Sequence, residues 1–494
     1  MRLNFGINQS VSLVLIVFGA RLWAFNYAGS PLPFFDQWLA EYNNLFLSLA
    51  GGQSPIQAIL RHHNEHALIT TKLFSLIGFS LNGYWDVKFL VVLAAAARGA
   101  VAVLAFRCLA PQDNLLKRAL LWFWAVLIFA IPWSGFNTLC GQQISFYFAE
   151  LALLWSLATT VEWKGRWSAV GLIAAMALGL TSMASALAIP AATLAAHWAY
   201  PQSRKGFGLA WGSTALLAGW YIFQATGVNS GAASNLTFAS CAFFLHLIAW
   251  PIQNAAMGHL LLFIALITVF FLRRLEHTET KRTAIAVGFM LFAMLNSAMI
   301  ALNRQPSELH PRHWDTLLWM PFGAIALAIL IVPQLPRFRR VAIVASLGLA
   351  ALFGGAFAQR YFTVTQPYYD ASHQQRDAIV LQYRDWFLSG EIKQAAEGVN
   401  QQLEQKDYRF YDDPVGRYMP HPIAVANILD APIPSLSLLS PEILPTREPG
   451  LIARLTALII GQGKLLCLVG GILGFISVII NYRKRKGKAH PPLA

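Results

Sequence analysis

Apolar residues along this chain gather into long unbroken runs, separated by short polar or basic connections. A helix needs about 20 apolar residues to cross the roughly 30 Å of bilayer hydrocarbon. Counted on that scale, the runs predict about twelve crossings. They lie near Val11 to Phe25, Phe89 to Phe106, Ala119 to Trp133, Ile144 to Val161, Ala169 to Thr181 and Met183 to Trp198. The series continues with Phe207 to Phe223, Ala256 to Leu272, Thr283 to Leu302, Leu317 to Val332, Val341 to Ala358 and Leu465 to Ile480. The fifth and sixth nearly touch, so they read either as a hairpin of two short spans or as one broken helix.

Charge decides between them. Short connections rich in Lys and Arg stay on the cytoplasmic side. With the N-terminus inside and twelve crossings, the inner connections carry Arg107, Lys117 and Arg118, then Lys164 and Arg166, then Arg204 and Lys205. They go on with Arg273, Arg274, Lys281 and Arg282, then Arg337, Arg339 and Arg340, and end with the basic tail after Arg483. Merging the hairpin would put the later basic loops on the wrong face, so both termini are expected in the cytoplasm. The outer side then holds a long first loop (27–88), loops at Ser134 to Gln143, Gly227 to Asn254 and Asn303 to Trp314, and a polar segment (359–463). That segment predicts a helix over Asp370 to Gln405, then a Pro-rich stretch from Ala431 to Pro449, and reads as a small outer domain. The expected organisation is a transmembrane module (1–358), this domain, and a last span with its tail (464–494).

Composition agrees. Only 12% of the 494 residues are charged and 56% are hydrophobic, with mean hydropathy +0.50; soluble domains run near 25% charged. The fold class is an all-α polytopic membrane protein. The net charge of +14 is absorbed by the topology signals and gives no reason to expect nucleic acid as a partner. Cys108, Cys140, Cys241 and Cys467 are scattered, without metal-ligand spacing or a disulfide framework. The first run lacks a signal-peptidase pattern and reads as an uncleaved span.

The first outer loop concentrates polar chemistry beside the bilayer. Asp36 follows Pro31-Leu-Pro-Phe-Phe and precedes Gln37-Trp38. A carboxylate held between aromatic side chains at a membrane surface gains basicity and suits a general base; Asp is equally a preferred helix cap. Trp38 to Leu49 and Ile56 to Ile77 carry apolar residues at helical spacing and suit helices lying in the interface. Between them Ser54-Pro55 forms a helix start. Arg61-His62-His63-Asn64-Glu65-His66 contains the H-x-x-E-H spacing of an inverted zinc-protease motif, in which two histidines share a helix face. His62, Glu65 and His66 are therefore weak metal candidates. Arg61 and Lys72 suit an anionic headgroup.

Elsewhere on that side, Arg304, His310, Arg312 and His313 break the positive-inside pattern within one short loop. Guanidinium forks match phosphate oxygens, so this cluster suits a lipid phosphate as well as a solvated helix cap. Asn137, Gln142, Gln143, Trp38 and His66 supply the amides, rings and polar edges by which sugars bind, or an interfacial aromatic belt. Inside the spans, Arg98 and Glu150 should neutralise each other or line a polar cavity.

An acid just after the first span, interface helices in that loop, a dozen crossings and a C-terminal outer segment together resemble the GT-C superfamily of integral-membrane glycosyltransferases. Within it the layout is similar to bacterial polyprenyl-phosphate-sugar enzymes such as serotype-converting O-antigen glucosyltransferases. The resemblance implies inverting transfer from a polyprenyl-phosphate sugar (an undecaprenyl-phosphate hexose) to a surface glycan such as O-antigen or lipopolysaccharide. It implies Asp36 as catalytic base, with a second acid drawn from Glu41, Glu65 or Asp86 because Gln37 follows Asp36. Arg312, with Arg304, His313, Lys72 or Arg61, would hold the departing phosphate. No cofactor is specified, and a divalent metal stays open. The expected location is the bacterial inner membrane, with a periplasmic active site. A lipid-linked saccharide flippase, or a polysaccharide ligase or polymerase, is the alternative.

Overall fold

The computed structural model describes residues 5–33, 36–64, 66–111, 114–200, 206–226, 237–271, 277–303, 311–331, 339–389 and 449–488. Among these residues the chain is helical throughout, with one isolated β-bridge between His63 and His66. The first helix, α1, runs Phe5–Ala28. A wide π-helix over Trp38–Leu47 leads into a single turn, α2, at Ser48–Ala50. Next come α3 (Pro55–Leu60), α4 (Ile69–Asn82), α5 (Val87–Leu109), α6 (Leu115–Ala130), the short α7 (Gly135–Leu139) and α8 (Ile144–Val161). The chain continues through α9 (Arg166–Ser182), α10 (Ile189–Ala199), α11 (Phe207–Thr226), α12 (Phe238–Ile248), α13 (Ala255–Phe271) and α14 (His277–Asn303). It closes with α15 (Trp314–Leu317), α16 (Trp319–Ile331), α17 (Arg339–Arg360), α18 (Gln366–Ser389), α19 (Leu451–Gly461) and α20 (Gly463–Lys488).

Helix occupies most of the described part of each apolar run, and among the described residues six stretches are long and apolar enough to cross a membrane: Asn8–Ala28, Val87–Leu109, Gly141–Val161, Thr280–Leu302, Trp314–Ile331 and Gly463–Ile480. The others are shorter or more charged. At 1.5 Å per residue a helix of 11 to 17 residues reaches only about 17 to 26 Å. The doubtful fifth and sixth runs are separate helices. The chain breaks at Met183, which is fully extended, and re-enters helix through a tight turn over Ala184–Ala188. Helix α17 does not stop at the expected domain boundary; it passes through a π-helical turn, Tyr361–Thr365, straight into α18. The polar segment expected to form an outer domain therefore begins as an extension of a bundle helix, and its part from 390 to 448 lies outside the described residues.

Two features hold the bundle together. The first is a buried ionic cluster. Arg98 Nη1 lies 2.6 Å from Glu150 Oε2 and its Nη2 3.6 Å from Asp315 Oδ1. Arg21 Nη2 sits 3.2 Å from Asp315 Oδ2, while its Nη1 donates to Tyr147 Oη and Thr138 Oγ1, both at 2.7 Å. Tyr147 donates to Asp315 at 2.9 Å and Trp319 to Glu150 at 3.0 Å. Arg98 also lies over the faces of Phe129 and Tyr147. Two cations meet two anions, and α1, α5, α8, α15 and α16 are joined by charges a bilayer tolerates only when paired. The expected Arg98–Glu150 pairing is observed, within a larger cluster.

The second is a glycine seam between α1 and α20. A Cβ added at Gly463 would stand 2.5 Å from the Trp23 backbone nitrogen and 2.9 Å from the Gly19 carbonyl oxygen. At Gly470 it would stand 2.8 Å from the Ile16 nitrogen. Ser12 donates to the Gly470 carbonyl at 2.7 Å. Small residues at turn spacing let two backbones touch, which is how helices associate where lipid tails remove the hydrophobic incentive. Gly471 faces open space. Gly463→Leu therefore overpacks the seam by about 1–3 kcal/mol and lowers the thermal unfolding temperature in detergent, whereas Gly471→Leu leaves it unchanged; equal melting of the two variants would contradict the seam.

Candidate functional site

Helix polarity sorts the charges to opposite ends of the bundle. One end carries Arg107 at the close of α5, Lys117 and Arg118 opening α6, Lys164 before α9 and Arg166 at its first position, and Lys281 in α14, whose ammonium pairs with Glu162 at 2.5 Å. The other end gathers the close of α1, the first loop, the starts of α5, α8, α16 and α20, and the turn Pro311–His313. Close packing of Gly141, just before α8, on Leu90 and Val91 of α5 fixes those two starts side by side.

At this second end Arg312 Nη1 lies 2.7 Å from Asp36 Oδ2, and both side chains are only about 15% exposed (16% and 14%). The pair joins positions 276 residues apart. Arg312 is held from behind. Asn137 Nδ2 donates to the Arg312 carbonyl at 2.8 Å, and three residues onward Asp315 is anchored in the ionic cluster. Asp36 is held from ahead by the wide helix. At the helix start the capping position falls on Gln37, whose side chain makes no cap; its amide donates to Glu41 at 2.9 Å. The Asp36 carboxylate is thus engaged by a cation.

Glu41, one turn along, is fully buried. It accepts from Gln37, from Ser75 Oγ at 2.6 Å and from Trp85 Nε1 at 2.9 Å. Burial is the dominant influence and pushes its carboxyl up to about 6 against those three donors. Burial, with the nearby Glu41 and Asp36 carboxylates, also holds the Cys140 thiol well above its ordinary value, which sets both acids within electrostatic reach of the turn before α8. In that turn Gln142 and Gln143 are buried, as is Asn137 in α7. The ring of His313 lies edge-on to Phe146 of α8, at 6.5 Å between centroids.

Several other predicted residues make contacts that shape the fold. The single interface helix expected over Ile56 to Ile77 is broken into α3 and α4, because Asn64 and Leu68 take left-handed backbone conformations and His63 and His66 exchange backbone hydrogen bonds at 2.9 Å. His62 and His66 therefore do not share a helix face, which removes the geometry of the zinc-protease motif. Glu65 lies outside the described residues, as does Arg304, and no group of three His, Cys, Asp or Glu side chains among the described residues is placed to hold a metal. Lys72 is buried, and its ammonium donates to the carbonyls of Ala58, Ile59 and Arg61, closing the C-terminus of α3. Burial pulls it down to about 8, with Arg61 adding to the effect. Arg61 reaches Ser48 at 3.2 Å. Ser54 makes the expected helix start as a full capping box with Gln57. Asp86 caps α5 through the Phe89 amide and accepts from Asn82 at 2.6 Å. Trp38 is buried against Tyr42 and Trp85, so its rings pack the loop.

The sequence reading left out Arg21, Tyr147 and Asp315. The rule that singled out Arg98 and Glu150, a charge inside an apolar run, applies equally to Arg21 and to Asp315 at the mouth of its span. The chain matches no family profile, no curated protein and no solved structure.

The raised Glu41 carboxyl gives a pH signature. Between its usual value near 4.5 and about 6, the folded chain keeps a proton that the unfolded chain releases. Stability from this group is full below that window and falls by about 2 kcal/mol as pH rises through it. Glu41→Gln should flatten the pH dependence of thermal unfolding between pH 4.5 and 6.5; an unchanged slope would show that the carboxyl titrates normally.

Proposed function

We propose that the chain is an inverting glycosyltransferase of the GT-C kind, with about twelve crossings, that moves a hexose from a polyprenyl phosphate to a surface glycan on the periplasmic side of a bacterial inner membrane. The observation that carries this reading is the Asp36–Arg312 pair, a carboxylate against a guanidinium at the bundle end opposite the basic connections. The buried amides of Asn137, Gln142 and Gln143 support it, since amides pair with sugar hydroxyls.

In the proposed reaction Asp36 takes the proton from an acceptor hydroxyl. That oxygen bonds to the anomeric carbon from the face opposite the phosphate, and the bond from carbon to phosphate oxygen breaks with its electron pair staying on the phosphate. Arg312 transfers from Asp36 to the leaving phosphate and stabilises its charge. Donor binding and base release are then one event, because the phosphate competes for the cation that occupies the carboxylate. Glu41 positions the wide helix, and Asn137 positions Arg312. The flippase alternative draws no support from Arg98 and Glu150, which are paired and fully buried against Phe129 and Trp319.

The test uses the full chain in nanodiscs with an undecaprenyl-phosphate hexose and a glycan acceptor. Asp36→Asn should lower turnover by about 10²–10⁴-fold while donor binding persists, and Arg312→Ala should weaken both. Turnover unaffected by Asp36→Asn would remove the reading. Transfer from a lipid pyrophosphate oligosaccharide but not from the monophosphate sugar would favour a ligase or polymerase.

A further inference from the structure

At the end of the bundle that carries Arg312, one further arginine is held by aromatic rings instead of an acid. Helix α17 has 22 residues. At 1.5 Å per residue it is about 33 Å long, enough for the depth of the hydrocarbon, with Arg360 as its last residue. Phe353, Phe357 and Arg360 follow one another at intervals of four and three and so share a face. Phe357 is buried against Trp133 and Trp250, at 4.6 and 5.7 Å between ring centroids, so this face looks into the bundle. Where the face ends, the Arg360 guanidinium lies over the Trp314 ring, 4.3 Å from its centroid. Trp314 packs in turn on Trp250 at 5.9 Å, and it stands two residues after Arg312.

Its neighbours set Arg360 apart from the other buried arginines. Arg21, Arg98 and Arg312 each face a carboxylate, at 3.2, 2.6 and 2.7 Å. Arg360 faces none among the described residues, and its Nε is buried there without a hydrogen-bond partner. Burial alone draws the group down, to about 10, with no carboxylate opposing the shift, so it stays charged at neutral pH. An indole face attracts a cation without neutralising it. Stacking engages the flat face of the guanidinium, whereas its N–H donors lie in the plane and point outward from the rim. A cation kept at the edge of the hydrocarbon with no counter-ion is costly, and such charges mark functional positions.

We infer that Arg360 is a phosphate-binding residue, taking a lipid-borne phosphate that arrives beside α17. The flank of this helix is apolar and open, with Leu347 and Leu352 exposed, as is Phe362 just past Arg360. A lipid chain lying there brings its headgroup to the level of Arg360. Arg312 has to part from Asp36 before it binds phosphate, whereas Arg360 gives up no ion pair. The contact therefore adds affinity for the donor lipid by itself, whether or not Arg312 reaches the same oxygens. The inference rests on the transfer reading for the carrier, a polyprenyl phosphate, and on the geometry alone for the contact.

The test is native mass spectrometry of the full chain in detergent, titrated with undecaprenyl phosphate and separately with undecaprenol, which has the same chain and no phosphate. Arg360→Met keeps an apolar stem over Trp314 and should weaken undecaprenyl phosphate binding roughly tenfold, while Arg360→Lys keeps the charge and should weaken it about threefold. Undecaprenol binding should be the same in all three proteins. Arg166→Met removes a guanidinium lying over Trp167 at the opposite end of the bundle and should change neither lipid. Because the readout is the difference between two lipids that share a chain, a damaged fold cannot imitate it. No binding of undecaprenyl phosphate by the wild type, equal binding by wild type and Arg360→Met, or equal losses for both lipids would overturn the inference. Displacement by inorganic phosphate at matching concentration would overturn the lipid carrier. Unchanged binding in Arg360→Met beside lost turnover in Asp36→Asn sinks this inference and leaves the transfer reading standing; the selective loss beside normal turnover in Asp36→Asn keeps the contact and sinks the transfer reading.

Discussion

The bundle depends on the pairing of Arg21 and Arg98 with Asp315 and Glu150. Each of these side chains is at most 2% exposed, and a lone charge so placed would be costly enough to drive the helices apart. Desolvation of four ions is offset because each finds an opposite charge and a further donor or ring: Tyr147 for Arg21 and Asp315, Trp319 for Glu150, Phe129 for Arg98. Removing one member of such a buried set typically costs about 3–5 kcal/mol, because its partner is left uncompensated. The cluster also specifies arrangement. Leucines on α1, α5, α8 and α16 could slide past one another in lipid with little penalty, whereas four charges are satisfied in few registers.

The candidate site inherits its precision from that cluster. Asp315 lies one helical turn after Arg312, so the anchored carboxylate fixes where the Pro311–His313 turn emerges. Asn137 then ties the backbone of Arg312 to α7, while Thr138 in the same short helix accepts from Arg21. On the opposite side Glu41 plays the equivalent part for Asp36. Its three donors come from its own helix, from α4 and from the residue before Asp86, so the wide helix is pinned across the whole first loop. Both members of the Asp36–Arg312 pair thus stand on backbone fixed by a buried carboxylate a turn away. Neither carboxylate needs to touch a ligand to govern where the pair sits.

Much of this was legible in the sequence, and the losses have physical causes. Long apolar runs announce helices because nothing else satisfies a backbone in lipid, and helix fills most of the described part of each predicted run. Charge put the first loop and the loop after α14 on one side, the family resemblance placed them at one site, and Asp36 does meet Arg312. Turn chemistry was also readable at Ser54, which starts a helix as expected, with Gln57 completing a capping box. What failed was periodicity across a break: apolar residues from Ile56 to Ile77 keep helical spacing, yet Asn64 and Leu68 turn the chain over. Lys72 looked like a headgroup ligand because its burial under three carbonyls depends on the fold of α3 against α4, which no local pattern encodes. The packing of Trp38 on Trp85, far along the chain, is equally invisible to local pattern. The helices α12 and α19 fell within stretches read as loop or outer segment, being too short to register as runs.

The pairing of Asp36 with Arg312 is itself a constraint on any chemistry at this end of the bundle. Side chains about 15% exposed (16% and 14%) sit between the surface pairs worth about 0–1 kcal/mol and the buried pairs that cannot be parted cheaply. Such a contact persists without ligand and yields to a stronger anion. A phosphate offers the guanidinium two oxygens in fork geometry and more charge than one carboxylate oxygen, so exchange is favourable where a neutral sugar would achieve none. On the glycosyl-transfer reading, water entering an empty site meets a carboxylate still bound to its cation, and the base is released only when the donor has arrived. The same two residues that would carry the reaction would thereby order its steps.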